Sequence, residues 1–165
     1  MICAGAGVAP FAGFVAHRAA QQARGRDPLA ADPEPAPAIL FVGCRSPRHA
    51  PRGAELSRLA DVRYAYSRDG GEEREGGGGG GGGGKGFVGY VQDRVWADRE
   101  ELARLWGDGA RVYVCGSRAV SRGVKEVVRR IYREAAERRC GAKTEAEVDE
   151  WWVDILRDRY AVDVF

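Results

Sequence analysis

Two closely spaced glycines near the start of the chain are placed where a phosphate could bind. Gly5 and Gly7 stand with Pro10 in the run GAGVAP, after the apolar segment Met1–Ala4 and before helical spacing over 11–23. Glycines let the backbone approach a phosphate closely, and a helix N-terminus supplies N–H groups and a positive dipole. Pro10 suits the first turn of that helix. The usual dinucleotide fingerprint has a third glycine at this position, so a glycine turn between packed elements is the alternative.

A serine and an arginine follow a second apolar segment. Ser67 and Arg68 come directly after Val62–Tyr66, which has the composition of a strand. A hydroxyl and a guanidinium at a carboxyl strand end can hold a phosphate by charge-assisted hydrogen bonds. An acidic residue at this edge would select a free ribose hydroxyl, hence NAD, whereas this pair favours a 2′-phosphate, hence NADP. A solvated loop arginine is the alternative interpretation.

Two further residues lie beside predicted strand ends. Tyr90, in the run Tyr-Val-Gln, could stack on adenine and donate to a phosphate, or it could be a tyrosine packing on the core at the start of a helix. Cys115 ends the apolar run RVYVC and would lie at the mouth of a parallel sheet, where ligands bind. An inert buried thiol is the alternative for Cys115. Spacing alone indicates no role for Asp163 or Phe165 at the end of the chain.

The segments between these motifs alternate between strand and helix patterns. Apolar runs predict five strands, at Met1–Ala4, Ala38–Val42, Val62–Tyr66, Arg111–Cys115 and Tyr160–Phe165. Helical spacing predicts helices at 11–23, 52–59, 92–106 and 120–135, and after a capping box of Thr144 and Glu147. This alternation is typical of a three-layer α/β fold with a five-stranded parallel sheet.

Composition limits the classes of function. The 165 residues suit one domain over 1–165, and a net charge of +2 gives no whole-protein reason to bind nucleic acid. Four cysteines without a CxxC pair, and two histidines, argue against a zinc site and favour a reducing, cytoplasmic compartment. The sequence contains no run of 18 apolar residues, so it predicts no membrane span. The run Gly76–Gly84 is expected to be a flexible insertion.

Six motifs together resemble a known family. In chain order they are GAGVAPFAGF, LFVGCRSP, YAYSR, YVQDRVW, RVYVCGSR and RYAVDVF, and they cover nearly the whole sequence. They resemble the C-terminal NADPH-binding domain of diflavin NADPH–haemoprotein reductases, part of the ferredoxin–NADP reductase superfamily. The resemblance is greatest to the reductase part of fungal self-sufficient fatty-acid monooxygenase fusions.

The resemblance implies an activity and partners. NADPH would give a hydride to FAD, and electrons would pass through FMN to a haem monooxygenase as acceptor. The FAD-binding and FMN-binding domains of the parent chain would lie before Met1, so the chain alone is expected to bind NADPH without turnover. One alternative is a truncated, non-catalytic NADP-binding module. Another is a stand-alone NADP-dependent oxidoreductase, which would need a proton donor such as Tyr-x-x-x-Lys, a spacing that this sequence lacks.

The resemblance also implies roles for individual residues. Cys115 would lie beside the nicotinamide and Asp163 would orient hydride transfer. Implied cofactor contacts are Gly5 and Gly7 at the pyrophosphate and nicotinamide, Arg45 at the phosphates, Ser67 and Arg68 at the 2′-phosphate, Tyr90 and Gln92 at the adenosine, and Phe165 stacked on the flavin. The sequence departs from the family pattern at Ala6, where threonine is usual, and at Lys85, which lies five residues before the tyrosine instead of directly preceding it.

Overall fold

The computed structural model describes residues 1–25, 36–50, 53–68 and 87–165. The predicted glycine insertion and Lys85 lie outside these ranges. The strands are β1 (Ile2–Ala4), β2 (Ile39–Cys44), β3 (Asp61–Tyr66), β4 (Phe87–Val88), β5 (Val112–Gly116) and β6 (Tyr160–Val164). The helices are α1 (Val8–Gly25), α2 (Gly53–Leu59), α3 (Val91–Ala97), α4 (Arg99–Gly107), α5 (Arg118–Cys140) and α6 (Glu145–Asp158).

The strands form one parallel sheet in the order β4-β3-β2-β1-β5-β6. The five predicted strands are confirmed, and the expected number is corrected to six. The added strand, β4, has two residues, too few to show a period-two pattern in sequence. The chain builds outward from β1 to β4 and then returns to the other side of β1. The strand order therefore reverses at β1, and α/β sheets bind ligands at the carboxyl ends beside such a reversal.

Two helical layers cover the sheet, which confirms the three-layer fold. On one face, side chains of α1 and α2 pack on β1 and β2; the buried core there includes Cys3, Phe11, Val15, Leu40, Val42 and Leu56. On the other face, α3, α5 and α6 contribute to a second core, with Phe41, Val95, Val124, Val128, Trp152 and Ile155. β2 shows how one strand serves both cores, because its alternate residues point to opposite faces.

The prediction of a single helix over 92–106 is wrong, since the helix is interrupted at Asp98. Asp98 ends α3 and precedes α4, with backbone angles φ −93° and ψ 16°. Its carboxylate accepts hydrogen bonds from Arg63 of β3 at 2.8 Å and from Arg94 at 3.0 Å. The hydrogen bond from Arg63 fixes the junction between α3 and α4 to the sheet. The helical pattern continues through it because Val95 before the break and Leu102 after it reach the same core.

The capping box predicted at Thr144 and Glu147 is confirmed at the start of α6. The Thr144 hydroxyl accepts from the Glu147 backbone N–H at 3.3 Å, and the Glu147 carboxylate accepts from the Thr144 N–H at 2.9 Å. α6 is also joined to α5, where Arg129 contacts Glu145 and Asp149 at 2.6 Å each. Within the described ranges, no helix has the length and apolar character needed to cross a membrane.

Candidate functional site

Three loops at the carboxyl edge of the sheet are tied together by their backbones. The hydrogen bonds run from Ser67 N–H to Cys44 O (2.9 Å), from Arg68 N–H to Arg45 O (2.9 Å) and from Gly89 N–H to Tyr66 O (3.0 Å). They continue the parallel pairing of β2, β3 and β4 beyond the strand ends. Residues far apart in sequence are thereby held on one edge without using their side chains.

This edge carries several exposed arginines. Arg45, Arg48 and Arg68, which we term the basic edge, are all exposed, and within the described ranges none of them pairs with a carboxylate. Ser67 is exposed beside Arg68. Guanidinium groups in this state can take a phosphate by paired, charge-assisted hydrogen bonds. Arg48 was not among the predicted site residues, although the second arginine of CRSPR was a signal for it.

A neighbouring loop segment also carries polar side chains. Ser46 and His49 hydrogen-bond to each other, with 2.9 Å between the serine Oγ and the histidine Nδ1. Both residues lie between Arg45 and α2. The pair orders the short turn that carries Arg48, and His49 itself is exposed.

Tyr90 projects from the same edge. Its side chain is 63% exposed, so the ring does not pack on the core and the core-packing alternative is wrong. The backbone on both sides is hydrogen-bonded, because the Gly89 N–H donates to the Tyr66 carbonyl at 3.0 Å and the Tyr90 N–H donates to the Asp93 carboxylate at 2.8 Å. A rigid backbone with an exposed ring is suited to stacking on a flat ligand.

Gln92 lies in the first turn of α3 and faces α5. Its side chain occupies the space beside Gly123, where a Cβ on that glycine would stand 3.2 Å from the Gln92 Cδ. The two residues are on different helices, so sequence spacing gave no sign of this contact.

The glycine turn between β1 and α1 has two distinct structural requirements. Gly5 adopts φ +58°, which side chains rarely tolerate, and a Cβ there would meet open space. Gly7 is buried against β5, because a Cβ would fall 2.2 Å from the Cys115 carbonyl oxygen. Packing on β5 therefore requires Gly7, whereas the sequence suggested a phosphate approach for both glycines. Gly5 is the one that leaves its surroundings open at the strand-order reversal.

Cys115 lies in the middle of a row that crosses three strands. It is the register partner of Cys3 on β1 and of Asp163 on β6. Its side chain is 3% exposed and belongs to the core beneath α1. Burial raises the pKa of the Cys115 thiol, and the nearby Asp163 carboxylate raises it further. The thiol is thus uncharged at neutral pH, while Asp163 beside it is exposed.

Phe165 completes the edge next to this row. Its ring is 67% exposed, and its backbone N–H donates to the Gly116 carbonyl at 3.4 Å, which holds the last residue against the carboxyl end of β5. The edge therefore has two parts, the basic edge with Tyr90 on one side of β1 and the row of Cys115 and Asp163 with Phe165 on the other.

Cavities of about 240 and 120 Å³ lie at the opposite side of the sheet, near the amino ends of β3 and β6, and contain none of the predicted site residues. In the described ranges, no three His, Cys, Asp or Glu side chains converge as metal ligands would. The exposed arginines and the exposed Tyr90 ring at the carboxyl edge are groups that can bind an anion and stack on a flat ligand.

A comparison with protein families decides the class of nucleotide. The sequence model of the oxidoreductase NAD-binding domain matches residues 1–126. The chain belongs to this family. The match confirms the predicted fold class, which is that of the ferredoxin–NADP reductase superfamily, and it confirms a nicotinamide nucleotide as the cofactor class of an oxidoreductase domain.

Curated relatives support the predicted resemblance. The chain is 36% identical, over 99% of its length, to a bifunctional cytochrome P450/NADPH–P450 reductase of Fusarium oxysporum. It is 34% identical, over its whole length, to a self-sufficient cytochrome P450 monooxygenase of Oidiodendron maius. It is 33% identical, again over its whole length, to a bifunctional enzyme of the first type from Acremonium egyptiacum. The chain spans about 14% of the length of each.

Proposed function

We propose that the chain binds NADPH and positions it for hydride transfer to FAD in a diflavin reductase that supplies electrons to a haem monooxygenase. The observation that carries the proposal is the basic edge, a group of exposed arginines without carboxylate partners in the described ranges. It lies at the carboxyl edge of the sheet, where α/β sheets bind ligands. The relatives are named NADPH–P450 reductases, which supports the reductant and the acceptor.

The basic edge fits the charged end of NADPH. Ser67 and Arg68 would hold the 2′-phosphate, which carries about −1.5 to −2 charge at neutral pH and therefore favours an unpaired guanidinium. Arg45 would contact the remaining phosphates from the adjacent loop, and Arg48 adds positive charge beside it. Tyr90 would stack on the adenine, since its ring is exposed and its backbone is fixed.

The other part of the edge fits the nicotinamide end. When bound there, reduced nicotinamide supplies a hydride. Gly5 leaves open space for a flat ring to approach the sheet. Cys115 would form an uncharged floor, because burial keeps its thiol protonated, and the exposed Asp163 would orient the ring from β6. Phe165, exposed at the end of the same strand, would cover the flavin until nicotinamide takes its place.

The FAD and FMN of the proposed enzyme would be held by other domains. The chain spans about one seventh of its relatives, at 14% of their length, which leaves ample sequence in such proteins for those domains. The described cysteines are all free thiols, which supports our proposal that the protein works in the reducing cytoplasm.

The proposal is tested by calorimetric titration of the 165-residue chain with NADP⁺ and NAD⁺. We expect NADP⁺ to bind at least tenfold more tightly, and Arg68→Ala to remove that preference by weakening NADP⁺ binding about 10- to 100-fold, the value of a hydrogen bond to a charged group. Arg111→Ala is the matched control, since Arg111 is an exposed arginine at the opposite edge of the sheet. Equal affinity of the unmodified chain for the two nucleotides would contradict the proposal.

A further inference from the structure

A glycine stands in the interior of the long helix α5, where glycine lowers helix stability relative to alanine. The space that its side chain would fill is occupied by another residue. A Cβ on Gly123 would lie 3.2 Å from Cδ, 3.4 Å from Cγ and 3.4 Å from Nε2 of Gln92. The absence of a side chain at Gly123 therefore leaves space for the side chain of Gln92.

We propose that Gly123 is a positioning residue that sets the direction of the Gln92 side chain for nucleotide binding. The inference rests on the proposed function and on the contact between Gln92 and the adenosine end of NADPH that the family resemblance implies. In this proposal Gly123 does not contact the nucleotide itself. It acts through Gln92, by providing the groove in α5 against which that side chain lies.

The backbone around Gln92 is fixed independently of Gly123. The Asp93 carboxylate accepts from the Tyr90 N–H at 2.8 Å, which anchors the first turn of α3. Val91 is 2% exposed and packs over Gly43 of β2, where an added Cβ would stand 3.0 Å from the Val91 Cβ. With both neighbours anchored, the remaining freedom of Gln92 is the rotation of its own side chain.

That rotation is limited by packing. Within the described ranges no hydrogen bond holds the Gln92 amide, so its contact with Gly123 is the feature that places it. The amide is half-buried and keeps its hydrogen-bonding groups for a ligand. At the carboxyl edge, α3 thus supplies the polar side chain of Gln92, and α5 supplies the surface at Gly123 on which that side chain packs.

Alanine at position 123 should weaken nucleotide binding without lowering the stability of the fold. A methyl group 3.2 Å from the Gln92 Cδ is closer than ordinary contact, and the flexible glutamine side chain would move more readily than either helix. The amide would leave its position while the helices stay packed. The fold would even gain stability, because alanine is the better helix former.

The experiment compares two glycine-to-alanine variants in the 165-residue chain. Gly123→Ala is the test, and Gly13→Ala is the matched control, because Gly13 lies within α1 and a Cβ there would meet open space. We expect both to hold or raise the Tm, by about 2–4 °C at most. Only Gly123→Ala should weaken binding of 2′,5′-ADP and 5′-AMP, about three- to tenfold and by the same factor for both, since Gln92 contacts the adenosine that they share.

A double-mutant cycle identifies Gln92 as the intermediary. In a Gln92→Ala background, the change Gly123→Ala should alter affinity less than twofold. Unchanged affinity in Gly123→Ala alone, or an equal loss with and without Gln92, would overturn the inference while leaving the proposed function intact. A wild-type chain that binds neither nucleotide would remove the proposed function and this inference with it.

Discussion

Two arginines five residues apart show how the sheet divides structure from binding. Arg63, inside β3, contacts Asp61 at 2.7 Å, Asp98 at 2.8 Å and Glu101 at 2.6 Å, and its side chain is 14% exposed. The hydrogen bond to Glu101, with those to the other carboxylates, raises its pKa. Arg68, just past the same strand, is exposed and has no carboxylate partner in the described ranges. The fold surrounds the Arg63 guanidinium with carboxylates, whereas the Arg68 guanidinium is exposed, which is the state that our proposal requires of a phosphate ligand.

The contrast extends to other arginines away from the carboxyl edge. Arg159 donates to the carbonyls of Ala110 at 2.9 Å and Trp106 at 2.5 Å, which gives hydrogen-bond donors to backbone carbonyls at the C-terminal end of α4. Arg129 is buried between α5 and α6 with two carboxylates. The difference teaches that the fold engages these guanidinium groups and withholds them from a ligand, whereas those of the basic edge stay accessible.

The largest effect that would test this contrast is loss of the saturated arginine. Arg63→Ala should lower the free energy of unfolding by about 3 kcal/mol, because Asp98 and Glu101 would lose their shared cation in a partly buried setting. Urea denaturation measures it. Arg104→Ala, at an exposed pair with 3.9 Å between its charged atoms, should change stability by less than about 0.5 kcal/mol. Equal stability losses in the two variants would break the comparison.

A smaller effect is expected at the exposed ring beside the basic edge. Tyr90→Ala should weaken 2′,5′-ADP and 5′-AMP alike, by about 0.5–1.5 kcal/mol, because both carry the adenine on which the ring would stack. Stability should not change, since the side chain is 63% exposed. Calorimetric titration of Tyr90→Phe then separates the two predicted roles. A loss confined to 2′,5′-ADP would assign the hydroxyl to the phosphate, and no loss in Tyr90→Ala would exclude stacking.

The smallest effect concerns a surface charge that serves only the fold. A hydrogen bond from Lys143, with those from Thr144, lowers the pKa of Glu147 from 4.5 to about 2. A carboxyl group whose pKa is lower in the folded state stabilises the fold at pH values above its unfolded pKa. That contribution is lost as the pH falls from about 4.5 through 2. Thermal midpoints of the wild type and Glu147→Gln should therefore differ at pH 5 and converge towards pH 2. A difference that is constant over this range would show that the charge of Glu147 plays no part.

Sequence predicted those parts of the molecule that depend on local pattern. Strand ends followed by glycine, serine or arginine placed Gly5, Ser67 and Arg68 at the carboxyl edge, where the structure has them. The break at Asp98 could not be predicted, because it depends on Arg63, which lies 35 residues earlier in the chain.

The same limit applies to the glycines. Nothing in the spacing of Gly7 indicates that it packs on the carbonyl of Cys115, and nothing near Gly123 indicates Gln92. Such contacts join elements that are distant in sequence, so only the assembled sheet and helices reveal them. The roles of Cys115, Asp163 and Phe165 remain predictions from family resemblance, now with a defined geometry.

The most direct test of the account measures the ratio of affinities for 2′,5′-ADP and 5′-AMP in three chains by calorimetry. The wild type and Arg63→Ala, measured at a temperature where both are folded, should favour 2′,5′-ADP by about 10- to 100-fold. Arg68→Ala should show a ratio near one while keeping wild-type stability. A ratio that survives in Arg68→Ala, or that falls equally in Arg63→Ala, would contradict our proposal that the exposed Arg68 binds the 2′-phosphate.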